Sequence, residues 1–341
     1  MGEHIRRPRY RGIHPRKFSE KYKELAPDQY PEIVTHLRER GQTPAGQHVP
    51  VLVEETLEAL AIQPGQRGVD ATLGWGGHAE RFLERLGPGG QLLALDADPI
   101  ELPKAEGRLR RAGFGEERLL VRRTNFAGLP AALDAVGWHD GADFVFADLG
   151  VSSMQIDDPA RGFSFKGDGP LDMRMNPNRG LSAAQWLARV TAERLTRALT
   201  DDADEARALE LAHALLEHRG RLTTTRALAL AIRAASAGTS DDEAALSIRR
   251  VFQTLRIEVN DEFGALDALL RQLPAGLRPG GRVAFLTFHS GEDRRVKKAL
   301  EAGQRAGVYA DVPEAIVRAS PAEQRANPRS KAAKLRWARI R

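Results

Sequence analysis

Between residues 68 and 147 short apolar runs alternate with amphipathic helical stretches, and no other pattern in the chain restricts the fold so strongly. The runs are 68–73, 91–95, 119–122 and 143–147; residues 78–86, 100–111 and 129–136 between them carry apolar side chains at helical spacing. Strands separated by single helices predict βαβ units, and hence an α/β fold with a mostly parallel sheet covered on both faces. A helical pattern at 51–60 leads into it. After Gln155 the alternation stops. Residues 156–180 are rich in Gly, Pro, Asp and Met, and from 182 to about 273 the chain reads helical, with helices expected at 183–199, 203–219, 223–235 and 243–273. Strand character returns at 281–288. The expected organisation is an α/β domain from 48–156 and 274–341, interrupted by an all-helical insertion at 157–273. A basic extension, 1–47, precedes it, with one helical stretch near 31–40.

Two of the strands end in a carboxylate followed by a flexible turn. The run Phe144-Val145-Phe146-Ala147 stops at Asp148 and enters Leu149-Gly150-Val151-Ser152-Ser153; upstream, Val69-Asp70-Ala71-Thr72-Leu73 enters Gly74-Trp75-Gly76-Gly77-His78. Parallel strands deliver such residues into the crevice at their C-terminal ends. Gly74, Gly76 and Gly77 permit a tight turn and close approach of a ligand to the start of the next helix. Asp96 ends the next strand about twenty residues on, where a carboxylate accepts hydrogen bonds from ribose hydroxyls. The third glycine of a dinucleotide fingerprint is missing, because His78-Ala79 follows Gly77. A carboxylate at Asp70 would repel a pyrophosphate and suits a cationic amino-acid head. These electrostatics favour S-adenosylmethionine over NAD.

The formal charge is +5, which favours an acidic partner such as nucleic acid. The basic residues crowd the two ends, and each cluster reads either as a solvated tail or as a nucleic-acid contact. With no cysteine, disulfides, thiolate nucleophiles and Cys-ligated zinc are excluded, and no metal-ligand spacing stands out. No apolar run approaches the ~18–20 residues needed to span a bilayer, and the start lacks the apolar core of a signal peptide. A soluble cytoplasmic protein is expected.

The segments 70–78 (D-A-T-L-G-W-G-G-H), 148–153 (D-L-G-V-S-S), 161–165 (R-G-F-S-F), 168–175 (D-G-P-L-D-M-R-M), 252–260 (F-Q-T-L-R-I-E-V-N), 279–282 (P-G-G-R), 288–294 (F-H-S-G-E-D-R) and 327–329 (N-P-R) occur in this order. In that run the chain resembles the RsmH (MraW) family, S-adenosylmethionine-dependent methyltransferases that modify the N4 amine of a cytidine in the decoding centre of bacterial 16S rRNA. The resemblance implies a class I, Rossmann-like methyltransferase whose helical insertion recognises substrate, and 16S rRNA or the small ribosomal subunit as partner. It puts cofactor contacts on Gly76, Gly77, His78, Asp96, Phe126, Asp148 and Gln155. The Asp148 carboxylate, or a main-chain carbonyl of 149–153, is the candidate catalytic acceptor, with Ser152 and Ser153 in the turn that shapes the base slot. Arg161, Arg249, Arg250, Arg256 and Arg329 are candidate RNA contacts, whereas Arg174 is expected to pin its own loop through Asp172. Phe163 and Phe165 either stack on the base or plug into the core. Family precedent and the long 243–273 helix are compatible with a homodimer.

The chain departs from the family pattern in places. Met154 stands for a usual proline and Gly291 for a leucine; Ala245-Leu246-Ser247-Ile248-Arg249 replaces H-P-A-T-R, and Asp202-Ala203-Asp204-Glu205-Ala206-Arg207 replaces an Arg-studded G-E-E-R segment. These changes lie mainly on the presumed substrate side. A methyltransferase acting on another RNA, DNA or protein therefore stays open, as does a non-catalytic assembly factor, although the intact pocket residues argue against the latter.

Overall fold

The computed structural model describes residues 50–341; the N-terminal extension and its expected helix near 31–40 lie outside the described residues. Helix α1 (Val53–Leu60) leads into β1 (Arg67–Asp70), α2 (Gly77–Leu86), β2 (Gln91–Asp96), α3 (Leu102–Arg111), β3 (Leu119–Arg123), α4 (Leu129–Asp134) and β4 (Ala142–Asp148). Four parallel strands run in the order β3-β2-β1-β4. The sheet continues through β5 (Leu277–Thr287), parallel to β4, and then through a hairpin of β6 (Tyr309–Asp311) and β7 (Lys334–Ile340). Its order, β3-β2-β1-β4-β5-β7-β6 with β7 antiparallel, is that of a class I methyltransferase.

Period-two alternation sorts each buried strand onto two cores. Phe144 and Phe146 of β4 enter one apolar cluster with Leu92, Ala94 and Phe82 of α2, while Val145 and Ala147 enter the opposite one with Val69, Leu93, Leu95 and Phe285. Each fully buried Phe contributes about 1.5–3 kcal/mol. Gly68 makes this packing achievable, since a Cβ there would lie 1.9 Å from the Phe144 ring. The same parity fixes the polar ends. Gly68 pairs with Phe144 and Asp70 with Ala94 and Phe146, so Asp70, Asp96 and Asp148 emerge on one face, the side covered by α2.

Several expected elements differ in extent. The helical stretch 183–199 is two helices, α6 (Ala183–Leu187) and α7 (Ala192–Ala203), because Thr191 caps the second by accepting from Arg194 N. The preceding α5 (Ser153–Asp157) was not expected. After α8 (Ala208–Glu217) and α9 (Thr225–Ala235), the predicted 243–273 helix is also two, α10 (Asp241–Asn260) and α11 (Glu262–Gly276), broken where Asp261 adopts φ 47°. The break matters for the domain division expected at 273. Apolar residues up to Leu255 form the core of the insertion, but Leu266, Leu269 and Leu273 of α11 pack into the sheet's core.

Of the two readings of the C-terminal basic cluster, a solvated tail does not hold for residues 334–340. The cluster contains β7, inside the sheet between β5 and β6. Lys334 and Arg336 sit on the face of α12 (Ser290–Arg305) and hold Asp293 at 2.8 and 2.6 Å. Among the described residues no helix is long and apolar enough to cross a membrane.

Candidate active site

Asp70 ends β1 with 1% exposure, and its Oδ1 accepts a hydrogen bond from Thr72 N at 3.1 Å. The Thr72 hydroxyl in turn accepts from Asp148 N at 2.6 Å, tying the tips of β1 and β4 together. Asp148 is recessed yet open, with 31% of its side chain exposed. Burial, followed by the nearby Asp70 and Glu292, pushes its carboxyl up to about 8. Asp70 is pushed up to about 7, chiefly by burial. Neither has an Arg or Lys partner among the described residues. The nearest basic group is His78, whose Nδ1 lies 3.7 Å from Asp148 Oδ2. Burial lowers His78 to about 4, so it is neutral; Nε2 donates to Val51 O at 3.0 Å and Nδ1 presents a lone pair. At 3.7 Å the contact is too long for a hydrogen bond. The imidazole packs 4.6 Å from Phe146 and supports Asp148 from behind.

Gly76 turns the chain with φ 83° into α2. The turn is held by a residue that the sequence reading missed. Arg108, from α3, donates to Trp75 O at 3.1 Å and Gly76 O at 2.9 Å, pairs with Glu80 at 2.6 Å, and stacks on the Trp75 ring. A Cβ on Gly76 would sit 3.2 Å from that guanidinium, and one on Gly77 would sit 3.1 Å from Pro50. In sequence Arg108 looks like an ordinary basic helix end beside Arg110 and Arg111. Asp96 crosses to the same turn: its Oδ2 accepts from Gly74 N at 2.8 Å and its Oδ1 from Asp98 N at 2.8 Å. Each oxygen keeps a second lone pair for a ligand hydroxyl. Phe126 opens the turn after β3, beside the Asp96 end of β2, and is half-buried against the sheet core.

Ser152 caps α5 through a capping box: Gln155 N donates to its hydroxyl and Ser152 N donates to Gln155 Oε1. This places Ser152 opposite Gly74, 3.9 Å from where a Cβ would stand. Ser153 is buried beside it. Gln155 is held at both ends of its amide, because its Nε2 also donates one hydrogen bond to Asp98 Oδ2 at 2.7 Å. Asp98, fully buried, is the second residue absent from the sequence reading. It also accepts from Arg161 Nη1 at 2.8 Å and from the Ile100 and Glu101 main chain. Only its spacing, two residues past Asp96, could have suggested it.

The candidate RNA arginines do not form one free set. Arg161 is buried, and besides Asp98 it donates to the Arg174 and Met175 carbonyls. Arg256 is bidentate to Glu262 at 2.8 and 2.9 Å. Neither guanidinium can reach a phosphate without leaving a buried carboxylate unpaired. Arg250 lies 3.8 Å from Glu205, Arg329 is half-exposed 3.4 Å from Asp157, and Arg249 is exposed. Arg174 grips Asp172 at 2.6 and 2.8 Å, the internal role expected of it. Phe163 is buried, whereas Phe165 is 38% exposed.

The arrangement can hold a cationic nucleoside. Two neighbouring acidic groups lack an Arg or Lys partner among the described residues, one of them buried and one partly exposed; a glycine turn lies beside them, and a third carboxylate ends the adjacent strand. These residues fit S-adenosylmethionine. The pattern of the MraW methylase family matches residues 45–341. The chain belongs to that family. Its curated relatives include "Ribosomal RNA small subunit methyltransferase H 1" of Agathobacter rectalis, 46% identical over 98% of this chain and 97% of its own. The "Ribosomal RNA small subunit methyltransferase H 2" of Alkaliphilus metalliredigens is 47% identical over the same shares. Among solved structures, a SAM-dependent methyltransferase from Aquifex aeolicus overlaps 90% of this chain and 98% of its own, at 11% identity and a TM-score of 0.41. Within the family frame, the leucine-to-glycine departure at Gly291 has a steric account. A Cβ there would lie 2.6 Å from Phe263 Cζ, so the Phe263 ring occupies the space a leucine would need.

Proposed function

We propose that this protein transfers the methyl group of S-adenosylmethionine to the exocyclic N4 amine of a cytidine in the decoding centre of 16S rRNA. The observation that carries the reading is the pair of neighbouring acidic groups, Asp70 and Asp148, tied by Thr72 at the mouth of a family-matched sheet. The family's curated relatives, similar over nearly the full chain, carry ribosomal RNA small-subunit names. The same reading includes a homodimer, which sedimentation equilibrium tests.

When bound, S-adenosylmethionine supplies an electrophilic methyl group on a sulfonium. Asp148 and Asp70 are placed to receive positive charge, and Asp96 is placed for ribose hydroxyls. The N4 amine is a weak nucleophile, because its lone pair is delocalised into the ring. It needs alignment and an acceptor that strengthens as charge grows on nitrogen. The Asp148 carboxylate supplies that acceptor. As the nitrogen–carbon bond forms and the carbon–sulfur bond breaks, it takes the proton that the amine sheds. His78, neutral beside it, adds no compensating positive charge.

The deciding experiment incubates the full chain with methyl-labelled S-adenosylmethionine and small subunits lacking the modification. Nuclease mapping then locates the label. Label on the N4 amine of one decoding-centre cytidine is expected; label on another nucleotide, on protein, or nowhere removes the assignment. Calorimetric titration with S-adenosylmethionine separately eliminates a non-catalytic assembly factor if binding is seen.

A further inference from the structure

We propose that Phe165 and Lys166, with Arg226 and Arg249 beside them, form a platform on which single-stranded RNA lies as it leaves the cleft. The inference rests on the RNA reading above and names the surface that would grip that substrate.

The loop carrying Phe165 starts at the cleft, because Arg161 anchors it to buried Asp98, two residues past the cofactor-side Asp96. It is held from both sides. Met173 N donates to Arg161 O at 3.0 Å, and Leu171 N donates to Thr223 O at 2.9 Å. Thr225, fully buried at the start of α9, donates its N–H to Gly169 O and its hydroxyl to Gly167 O, each at 2.9 Å. These bonds hold the 167–169 backbone, which Lys166 precedes, against Thr225, which Arg226 follows. The carboxylates of the loop are engaged locally. Asp168 accepts from Arg226 N, Asp158 accepts from Ala160 N, and Asp172 pairs with Arg174.

Phe165 projects from this rigid frame. Its ring makes a T-shaped contact with Phe252 of α10, with ring centroids 5.3 Å apart and planes at 69°, and over a third of the residue faces solvent. Arg249 lies three residues before Phe252, one helical turn away on the neighbouring face of α10. Lys166, Arg226 and Arg249 are all exposed, and none of the three side chains has a hydrogen-bonded or ion-pair partner among the described residues. An aromatic ring with a solvent-facing side, framed by three unpaired cations on a fixed backbone, matches what unpaired RNA offers. Its bases have π-faces to stack and its backbone has phosphates to neutralise. Duplex RNA would leave the ring unused, since its bases are already stacked.

The test titrates the full chain with a labelled single-stranded RNA oligonucleotide at several salt concentrations, following anisotropy. Phe165→Leu keeps the apolar contact with Phe252 and loses the flat ring face. It should weaken binding about ten- to hundredfold, with unchanged thermal stability and S-adenosylmethionine affinity, while Phe165→Tyr should bind like the parent. Replacing Lys166, Arg226 and Arg249 together with Ala should flatten the slope of log affinity against log salt by about 2. If the Leu variant and the triple variant both bind RNA with the parent's affinity and slope, the platform is refuted. Loss of melting temperature with unchanged RNA binding assigns Phe165 to packing and overturns it equally. A parent protein that methylates rRNA while the variants match it removes only this inference. A parent that neither binds nor methylates RNA removes the proposed function as well.

Discussion

The Arg161 guanidinium lies 2.8 Å from the Asp98 carboxylate, sixty-three residues earlier in the chain, with both side chains more than nine-tenths buried. This ion pair joins the cofactor side of the cleft to the loop that enters the helical insertion. Asp98 N donates to Asp96, and Arg161 Nη2 closes the 174–175 carbonyls. Asn260 of α10 reinforces that loop, accepting from Met175 N at 2.7 Å and donating to Met173 O at 2.8 Å. A residue chosen from sequence as an RNA ligand is thereby the strut between two halves of the site.

The two partners of this pair should not contribute independently to stability. Arg161→Met strands a buried carboxylate and should destabilise the protein by about 3–5 kcal/mol. Combining it with Asp98→Asn should lose markedly less than the two single losses added together. Denaturant unfolding of the four proteins in the cycle measures this, and additive losses would disprove the coupling.

Cofactor affinity should rise with pH. In the free protein burial, followed by Asp70 and Glu292, holds Asp148 up to about 8, and burial, with Asp96 adding, holds Asp70 up to about 7. At pH 6 both are largely protonated. A bound sulfonium or ammonium favours the carboxylates, so binding expels protons and tightens as pH rises from 6 towards 8.5, approaching tenfold per unit for one proton released. Calorimetry in buffers of different ionisation enthalpy should register the release. A dissociation constant that is flat across this range rules out the arrangement.

Asp148→Ala should lower kcat by at least about a hundredfold, the scale of a lost acid–base group. Its unfolding stability should be retained or raised at pH 9, because the native site then no longer holds an unpaired buried charge. Near-parental turnover would show that the acceptor lies elsewhere.

Arg108→Met removes the clamp on two carbonyls of the glycine turn and leaves Glu80 unpaired. Weaker S-adenosylmethionine binding, by about tenfold, is expected, together with a stability loss of about 1–3 kcal/mol from carbonyls left without donors. Equilibrium dialysis and thermal melts check the two effects separately. Unchanged cofactor affinity would relegate Arg108 to surface pairing.

Restoring the family leucine at position 291 should be harmful in this chain. The Phe263 ring fills that space and is itself held by Arg295 stacked 4.1 Å above it. Gly291→Leu should cost about 1–3 kcal/mol through overpacking, and a second change, Phe263→Ala, should recover part of the loss. Melting temperatures of the single and double variants decide it.

Much of the fold was legible because its signals are local. The runs ending in Asp70, Asp96 and Asp148 announce buried parallel strands through their length and composition, and the breaks at Gly74–Gly77 and at 149–153 announce turns. Less legible were the breaks at Thr191 and Asp261, where one capping or left-handed residue divides a continuous helical pattern. Strand β7 was hidden, because Lys334, Arg336 and Arg339 resemble a solvated tail until Asp293 is seen beside two of them.

The sequence by itself determined the strand–helix alternation, the carboxylates that end three strands, and the order of family motifs. Hydrophobic periodicity is set by backbone repeat lengths, and these depend on neighbouring residues alone. Tertiary structure alone decided which charges are free. Arg161 and Arg249 are equivalent in one dimension, yet one meets Asp98 in the interior and the other faces solvent. An ion pair depends on the distance between side chains and on the water removed around them, and the fold sets both by bringing together segments far apart in the chain.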